Sequence, residues 1–199
     1  LCRCFRRPWA FRGFGGGWDL AYERMWPPMR WTFRRTVLRA DAVLLQTKML
    51  VDYFHKRGFE NAHWLANSRP LPKTLPERTE HVAGTLRRFV FIGRIEPDKG
   101  VREILSAAAA LGEAVHVDFF GPLAGGVLES EFELANVEWH GPLPPEEVTA
   151  RLASYDALVL PTYYEGEGYP GAILEAFAAG VPVIATRWRA IPEIVDETC

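Results

Sequence analysis

Two carboxylates and two cations are the groups in this sequence whose types and spacing best suit chemistry. Glu167 and Glu175 stand eight residues apart, on either side of the point where a polar loop gives way to an apolar run. Pro170 fits the first turn of a helix, where its missing N–H has no partner to lose. Gly166, Gly168 and Gly171 remove side chains from this stretch, so amides at a helix N-terminus stay open to an anion. Glu175 then lies more than one turn inside the helix, on the face of Gly171 and Ala178. A carboxylate there can accept two hydrogen bonds from a ribose diol. Leu174, Ala176, Phe177, Ala178 and Ala179 make the helix almost wholly apolar, and a lone Glu within it needs a partner. Glu167, just before the helix, can accept hydrogen bonds from hydroxyls. The competing reading is a surface charge at Glu175 and a solvated acidic loop at Glu165 and Glu167.

The cations sit in Gly93-Arg94-Ile95-Glu96-Pro97-Asp98-Lys99-Gly100, directly after the apolar run FVFI. Gly93 permits a tight turn and close approach of a ligand. Arg94 offers a planar fork that grips phosphate with two hydrogen bonds. Lys99 adds a point charge near the start of the next helix, whose N-terminus carries its own partial positive charge. Together they suit a diphosphate. The competing reading is an exposed turn in which Arg94 and Lys99 pair with Glu96 and Asp98.

These loops need elements to hold them. Strands are expected at 89–92, 115–120, 137–140, 157–160 and 182–185, with helices at 101–111, 145–154 and 170–179. Short apolar strands alternating with helices imply an α/β domain with a parallel sheet covered on both faces, and in such sheets ligands bind at the carboxyl ends of the strands. Before them, 19–40 reads as helix interrupted at Pro27-Pro28, 42–46 as a strand, 47–57 as a helix ended by Gly58, and 61–65 as another strand. This looks like the last piece of a second α/β domain. The dense prolines of SRPLPKTLPER mark a linker. The division is therefore 1–67, a linker at 68–86, and 87–199. Residues 1–18 show no clear period. Gly13, Gly15, Gly16 and Gly17 lack the preceding apolar strand and the Lys-Ser/Thr of a P-loop, so a flexible loop is expected.

Composition excludes several classes. A hydrophobic fraction of 48% argues against global disorder. Cys2, Cys4 and Cys199 are odd in number and show no disulfide framework, which suits a reducing, cytoplasmic setting. No second Cys/His cluster accompanies Cys2 and Cys4, so no metal is expected. No apolar run approaches the roughly 20 residues that span a bilayer. The first 40 residues hold nine arginines against Asp19 and Glu23, a net +7, which leaves −9 for the remainder. With Trp9, Trp18, Trp26 and Trp31, this basic start suits either peripheral association with an anionic membrane or packing inside the first domain. No helix-turn-helix, zinc or RNA-binding signature supports a nucleic-acid partner.

The run from Glu167 to Glu175, E-G-Y-P-G-A-I-L-E, followed by AFAAGVPVIAT, resembles the E-x7-E signature of GT-B glycosyltransferases of family 4. The Gly93-Arg94 and Lys99-Gly100 pairs are similar to that family's phosphate-binding positions. The stretches FFG (119–121), WHGPL (139–143) and YDALVLPTYYE (155–165) match its spacing. The resemblance covers 87–197 closely and 1–70 loosely. It implies a GT-B fold and a nucleotide-sugar donor. Arg94 and Lys99 would neutralise the leaving diphosphate and Glu175 would hold the ribose. Glu167 would meet the transferring sugar, and the stretch Gly168, Tyr169, Pro170, Gly171 would offer its amides to the phosphates or sugar. Gly121, Gly141 and Leu143 would lie near the base. The family generally retains anomeric configuration and needs no metal or cofactor, and this chain has no D-x-D motif. A glycan or lipid-linked glycan acceptor, polysaccharide biosynthesis and a location at the inner face of the membrane are further implications. Because the acceptor half of such enzymes is largely absent, the chain is expected to be truncated at both ends and inactive alone. Glu165 is an extra acid relative to the common pattern, so which of Glu165 and Glu167 faces the sugar stays open. The alternative function is a non-catalytic nucleotide-binding module on the same fold.

Overall fold

The computed structural model describes residues 7–71, 74 and 87–196. The three cysteines and most of the expected linker lie outside them. The chain divides into two compact units. The first takes the residues up to Asn67 together with Glu165–Tyr169 and Trp188–Ile194, and the second takes the rest. The sequence expectation drew the second domain as one unbroken stretch. Two short segments of it pack instead with the first unit.

The first unit is a three-stranded parallel sheet in the order β1 (Ala10–Gly13), β2 (Ala42–Leu45), β3 (Ala62–Trp64). Between the strands run α1 (Trp18–Arg24), α2 (Pro27–Arg35), a one-turn 3-10 helix at Val37–Arg39, and α3 (Lys48–His55). Pro27 and Pro28 both start α2 and separate it from α1, as expected of residues that tolerate only the first turn. Thr47 caps α3 by accepting from the Leu50 amide, and Gly58 follows that helix with φ +80. Val43, Leu45, Leu50, Phe54 and Ala62 are almost wholly buried and form the centre of the core. Tyr22 and Leu38 join them, with Trp9, Phe11, Trp18 and Phe33 packed against the edge.

β1 corrects the expectation of a structureless start. Its four residues AFRG bury only the last, which is why no apolar run announces it. It is nevertheless paired in full register with β2, Ala10 opposite Ala42 and Gly13 opposite Leu45. The glycines after it are not a flexible tether either. Gly15 donates its amide to Gln46 Oε1 at 2.8 Å, and Gly16 donates to the Gly166 carbonyl at 2.9 Å. A Cβ on Gly16 would fall 1.8 Å from the Glu167 carbonyl oxygen, so the two backbones lie in direct contact.

The second unit is a five-stranded, wholly parallel sheet. In chain order its elements are β4 (Arg88–Ile92), α4 (Val101–Leu111), β5 (His116–Phe120), β6 (Val137–Trp139), α5 (Val148–Leu152), β7 (Ala157–Leu160), α6 (Gly171–Ala178) and β8 (Val183–Ala185). Their order across the sheet is β6-β5-β4-β7-β8. The chain thus moves outward from β4 to β6, then returns to the other side of β4 for β7 and β8. With right-handed crossovers this reversal puts helices on opposite faces, and it makes the β4–β7 junction a topological switch point. Central strands covered on both faces read as continuous apolar runs. Val90, Phe91, Phe119 and Leu158 accordingly have no accessible surface. α5 is shorter than the expected 145–154, because Pro144-Pro145-Glu146-Glu147 precedes it as turn rather than helix.

Candidate functional site

In the second unit, the two expected ligand loops leave the two strands that flank the switch point. The first follows β4. Gly93 (φ +152) donates its amide to the Phe120 carbonyl at 3.0 Å, and Gly121 (φ +146) donates to the Gly141 carbonyl at 2.9 Å. The three glycines are therefore tied in a row across the carboxyl ends of β4, β5 and β6. A Cβ on Gly121 would fall 1.7 Å from the Gly93 carbonyl oxygen, so side chains are excluded from this edge. Leu143 is half-buried two residues beyond Gly141.

Arg94 projects from the loop with 57% of its side chain exposed and approaches Glu96 at 3.0 Å. The pairing with Glu96 weighed from sequence is thus formed. Pro97–Lys99 is a single 3-10 turn, and Gly100 (φ +76) converts it into α4. A Cβ on Gly100 would lie 2.3 Å from the Pro161 carbonyl oxygen, which binds this loop to the end of β7. The Asp98 carbonyl accepts from the Tyr163 amide at 2.8 Å, so the two loops share backbone bonds. Lys99 places its Nζ 4.5 Å from the centroid of the Tyr164 ring.

The second loop enters α6 with Pro170 as its N-cap and Gly171 as its first helical residue. Glu175 is one turn further along. Its partner, demanded by the apolar helix, is Arg69, whose Nε donates to Glu175 Oε1 at 2.7 Å. The guanidinium also lies across Gly171: a Cβ there would fall 2.0 Å from Arg69 Nη2. Arg69 was assigned to the linker from its proline-rich surroundings. The need for a cation near Glu175 was legible, but 106 residues separate the two and nothing in the sequence joins them.

The first unit carries the other expected residues, Glu167, Gly168 and Tyr169, on its Glu165–Tyr169 segment. Glu165 is 62% exposed and ion-paired with Arg24 at 2.6 Å, whereas Glu167 is buried. Asn67 Nδ2 donates to the Tyr169 carbonyl. Burial raises the pKa of the Tyr169 hydroxyl above its usual 10.0, and the Glu193 carboxylate adds to this while a Trp64 hydrogen bond opposes it. The Trp188–Ile194 segment completes the clasp. Arg189, at φ +50, donates from Nη2 to the Gly16 carbonyl and to Asp19 Oδ1, both at 2.6 Å. Glu193 accepts from the Lys48 and Met49 amides and so caps α3.

One polar group escaped the sequence reading. Asp118, buried in the middle of β5, accepts from the Tyr155 hydroxyl at 2.6 Å through Oδ2. Its Oδ1 lies 2.8 Å from His140 Nε2 and 3.2 Å from His116 Nε2. Burial pushes the carboxyl pKa up, but the Tyr155 and His140 hydrogen bonds outweigh it and the net shift is downward. Among the described residues, His116, Asp118 and Glu138 bring potential ligand atoms within 4.8 Å of one another. His116 and Asp118 are one strand alternation apart, but His140 follows β6, 22 residues beyond Asp118, and a single buried Asp carries no signal of its own.

A family model described as glycosyl transferases group 1 matches residues 87–198. Among curated relatives, the chain is 29% identical over 118 residues to O-antigen chain mannosyltransferase B of Escherichia coli, covering 54% of this chain and 30% of that protein. It is 33% identical over 103 residues to 2-deoxystreptamine glucosyltransferase of Streptomyces kanamyceticus, covering 48% and 26%. The chain thus spans about a third or less of these relatives' length. Among solved structures, HepE of Anabaena in complex with UDP-glucose superposes with TM-score 0.74 at 18% identity, covering 98% of this chain and 58% of that one. TarM of S. aureus superposes with TM-score 0.67 at 17% identity, covering 96% and 39%. At these identities the likeness is one of fold, and it agrees with the two α/β units of parallel sheet described above.

Proposed function

From the premise that this chain belongs to the glycosyl transferases group 1 family, we propose that it carries the donor-binding part of an enzyme that moves a sugar from a nucleoside diphosphate sugar to a glycan or lipid-linked glycan. The observation that supports this most is the placement of Arg94 and Lys99 on the loop leaving β4, and of Gly171 and Glu175 in the first turns of the helix that follows β7, the two strands flanking the switch point of one parallel sheet. HepE, of like fold, is solved with UDP-glucose. The E. coli and Streptomyces relatives are named as a mannosyltransferase and a glucosyltransferase.

In this reading Arg94 and Lys99 hold the diphosphate, Glu175 the ribose and Glu167 the sugar. Gly93 belongs with Arg94 at the phosphates, and Gly121 and Gly141, with Leu143, border the base. The stretch Gly168, Tyr169, Pro170, Gly171 offers its amides to the phosphates or sugar. As the glycosidic bond breaks, positive charge spreads over the sugar ring and negative charge grows on the leaving diphosphate. Cations and helix-end amides aimed at that oxygen favour the transition state over the ground state. Transfer with retention and without a metal belongs to the same proposal. Glu165, drawn aside by Arg24, leaves the buried Glu167 as the acid for the sugar.

A peripheral membrane location is part of the proposal too. Trp9 and Trp18 are spent on the core, but Trp26, Met29 and Trp31 are exposed along α2 beside Arg34 and Arg35. No described helix is long and apolar enough to cross a membrane. Co-sedimentation with anionic but not neutral vesicles, lost on Trp26→Ser and Trp31→Ser, is the expected result.

The donor site is tested by thermal-shift titration with UDP, GDP, ADP and their sugar conjugates, beside Glu175→Ala. Ligand at about 100 times its Kd stabilises a fold by about 2.7 kcal/mol. A shift with one nucleotide that the variant loses supports the site and identifies the base. The absence of a shift with every nucleotide, in a folded sample, contradicts it.

A further inference from the structure

Glu175 does not stand alone on α6. Ile173 and Ala176 beside it are completely buried, so its side chain is confined to the outer face of the helix. On that face Arg69 engages it through Nε, while Nη2 lies over Gly171 one turn earlier and Nη1 reaches back toward the Ser68 carbonyl at 3.4 Å. The guanidinium is therefore laid across the bare first turn of α6 with its direction set at both ends. A cation beside the positive end of a helix dipole is unfavourable unless a carboxylate offsets it. Glu175 supplies that offset, so each side chain fixes the other.

We propose that Arg69 is a positioning residue for Glu175 and, through it, sets the preference of the donor site for ribose over 2′-deoxyribose. The inference rests on the assignment of Glu175 to the ribose made above. A carboxylate distinguishes the two sugars through the bond it accepts from the 2′-hydroxyl, and directing an oxygen at that hydroxyl requires a fixed orientation. Glutamate has three rotatable bonds, and an unanchored carboxylate can turn to the 3′-hydroxyl that both sugars keep. The bond from Arg69 uses one oxygen of Glu175 and holds the group for the diol. Residue 69 thus influences which nucleotide binds without itself needing to touch it.

The test is calorimetric titration of the 199-residue chain with UDP, GDP and ADP, then with the 2′-deoxy form of whichever binds tightest. Arg69→Met keeps the apolar stem and removes the charge; Arg69→Lys keeps the charge and loses the fork. Glu175→Gln and the double variant complete a cycle, and melting curves check the fold of each protein. The wild-type chain is expected to favour the ribonucleotide by about tenfold or more, the scale of one hydrogen bond to a charged group. Arg69→Met should abolish that preference while leaving the deoxynucleotide affinity nearly unchanged, Arg69→Lys should restore part of it, and Arg69→Met should add nothing to Glu175→Gln. A preference kept in Arg69→Met but lost in Glu175→Gln overturns the role of Arg69 and leaves the ribose assignment standing. A preference kept in Glu175→Gln, or no binding by the folded wild-type chain, overturns the assignment and the inference together. Equal weakening of both nucleotides with a lowered melting point marks Arg69 as a structural residue only, and also overturns it.

Discussion

Replacing Gly121 by Ala puts a number on how tightly the carboxyl edge of the sheet is built. The added Cβ would sit 1.7 Å from the Gly93 carbonyl oxygen and 2.8 Å from its carbon, whereas real Cβ atoms essentially never come within 3.0 Å of another heavy atom. The ends of β4 and β5 must open by about 1.3 Å. That movement breaks the bond from Gly93 N to the Phe120 carbonyl, leaving an N–H and a C=O unpaired. Two backbone groups left without partners cost about 1–3 kcal/mol each. The positive φ of +146 adds about 1–2 kcal/mol for any residue with a Cβ. The expected loss is therefore about 4 kcal/mol, a large share of a typical domain's 5–15 kcal/mol. Gly126→Ala is the control, because its φ is +80 but nothing lies within 4 Å of the new Cβ. It should cost only the backbone contribution, about 1 kcal/mol. Urea denaturation followed by far-ultraviolet circular dichroism gives both values. If Gly121→Ala costs no more than Gly126→Ala, the close approach of the two strands is wrong, and so is the case for a bare ligand edge.

Other outcomes follow from the same geometry. Arg94→Ala in the complete enzyme should lower the transfer rate about 100-fold, the scale of a lost transition-state charge contact, with an unchanged melting temperature because the side chain is mostly exposed. Glu167→Gln should lower the rate by a similar factor while Glu165→Gln does not; equal effects in a steady-state assay would refute the distinction drawn from burial. Asp118→Ala strands the Tyr155 hydroxyl and should destabilise the second unit by about 3 kcal/mol in chemical denaturation. Because the folded-state pKa of Asp118 is depressed, its contribution is present above the ordinary value of 3.8 and is lost as pH falls below it. Stability measured from pH 6 to pH 2.5 should therefore fall more steeply for wild type than for Asp118→Asn.

Much of the second unit was legible because its strands are buried on both faces. Runs such as FVFI and ALVL leave no alternative to a parallel sheet, and β4, β5 and β7 fall within one or two residues of their expected bounds. The loop that carries Arg94 and Lys99 and the helix entry that carries Glu175 were found by the same route, from the rule that ligands meet the carboxyl ends of strands. β1 was not legible, since an edge strand with one buried residue has no pattern to recognise. The glycines after it were misjudged for a related reason. Their use is close approach to another backbone 150 residues away, and sequence shows the missing side chain but not what comes near. Arg69 illustrates the same limit for charge, because the polar demand of α6 was visible and its distant answer was not.

The first unit is discontinuous in sequence, and this constrains when it can exist. Gly16 waits for Gly166, Asp19 for Arg189 and the start of α3 for Glu193. A ribosome delivers residues in order, so the three-stranded sheet emerges long before the two segments that close over it. Until residue 194 has left the exit tunnel, the glycine turn after β1 and the first amides of α3 must be hydrated or shielded by something else. Those contacts span 145–170 residues, and each such closure must overcome the entropy of a long loop. A nascent chain paused after β3 should show protection of its sheet amides from exchange but none at Gly16 or Lys48, so the first unit is completed only after all five strands of the second sheet have been made.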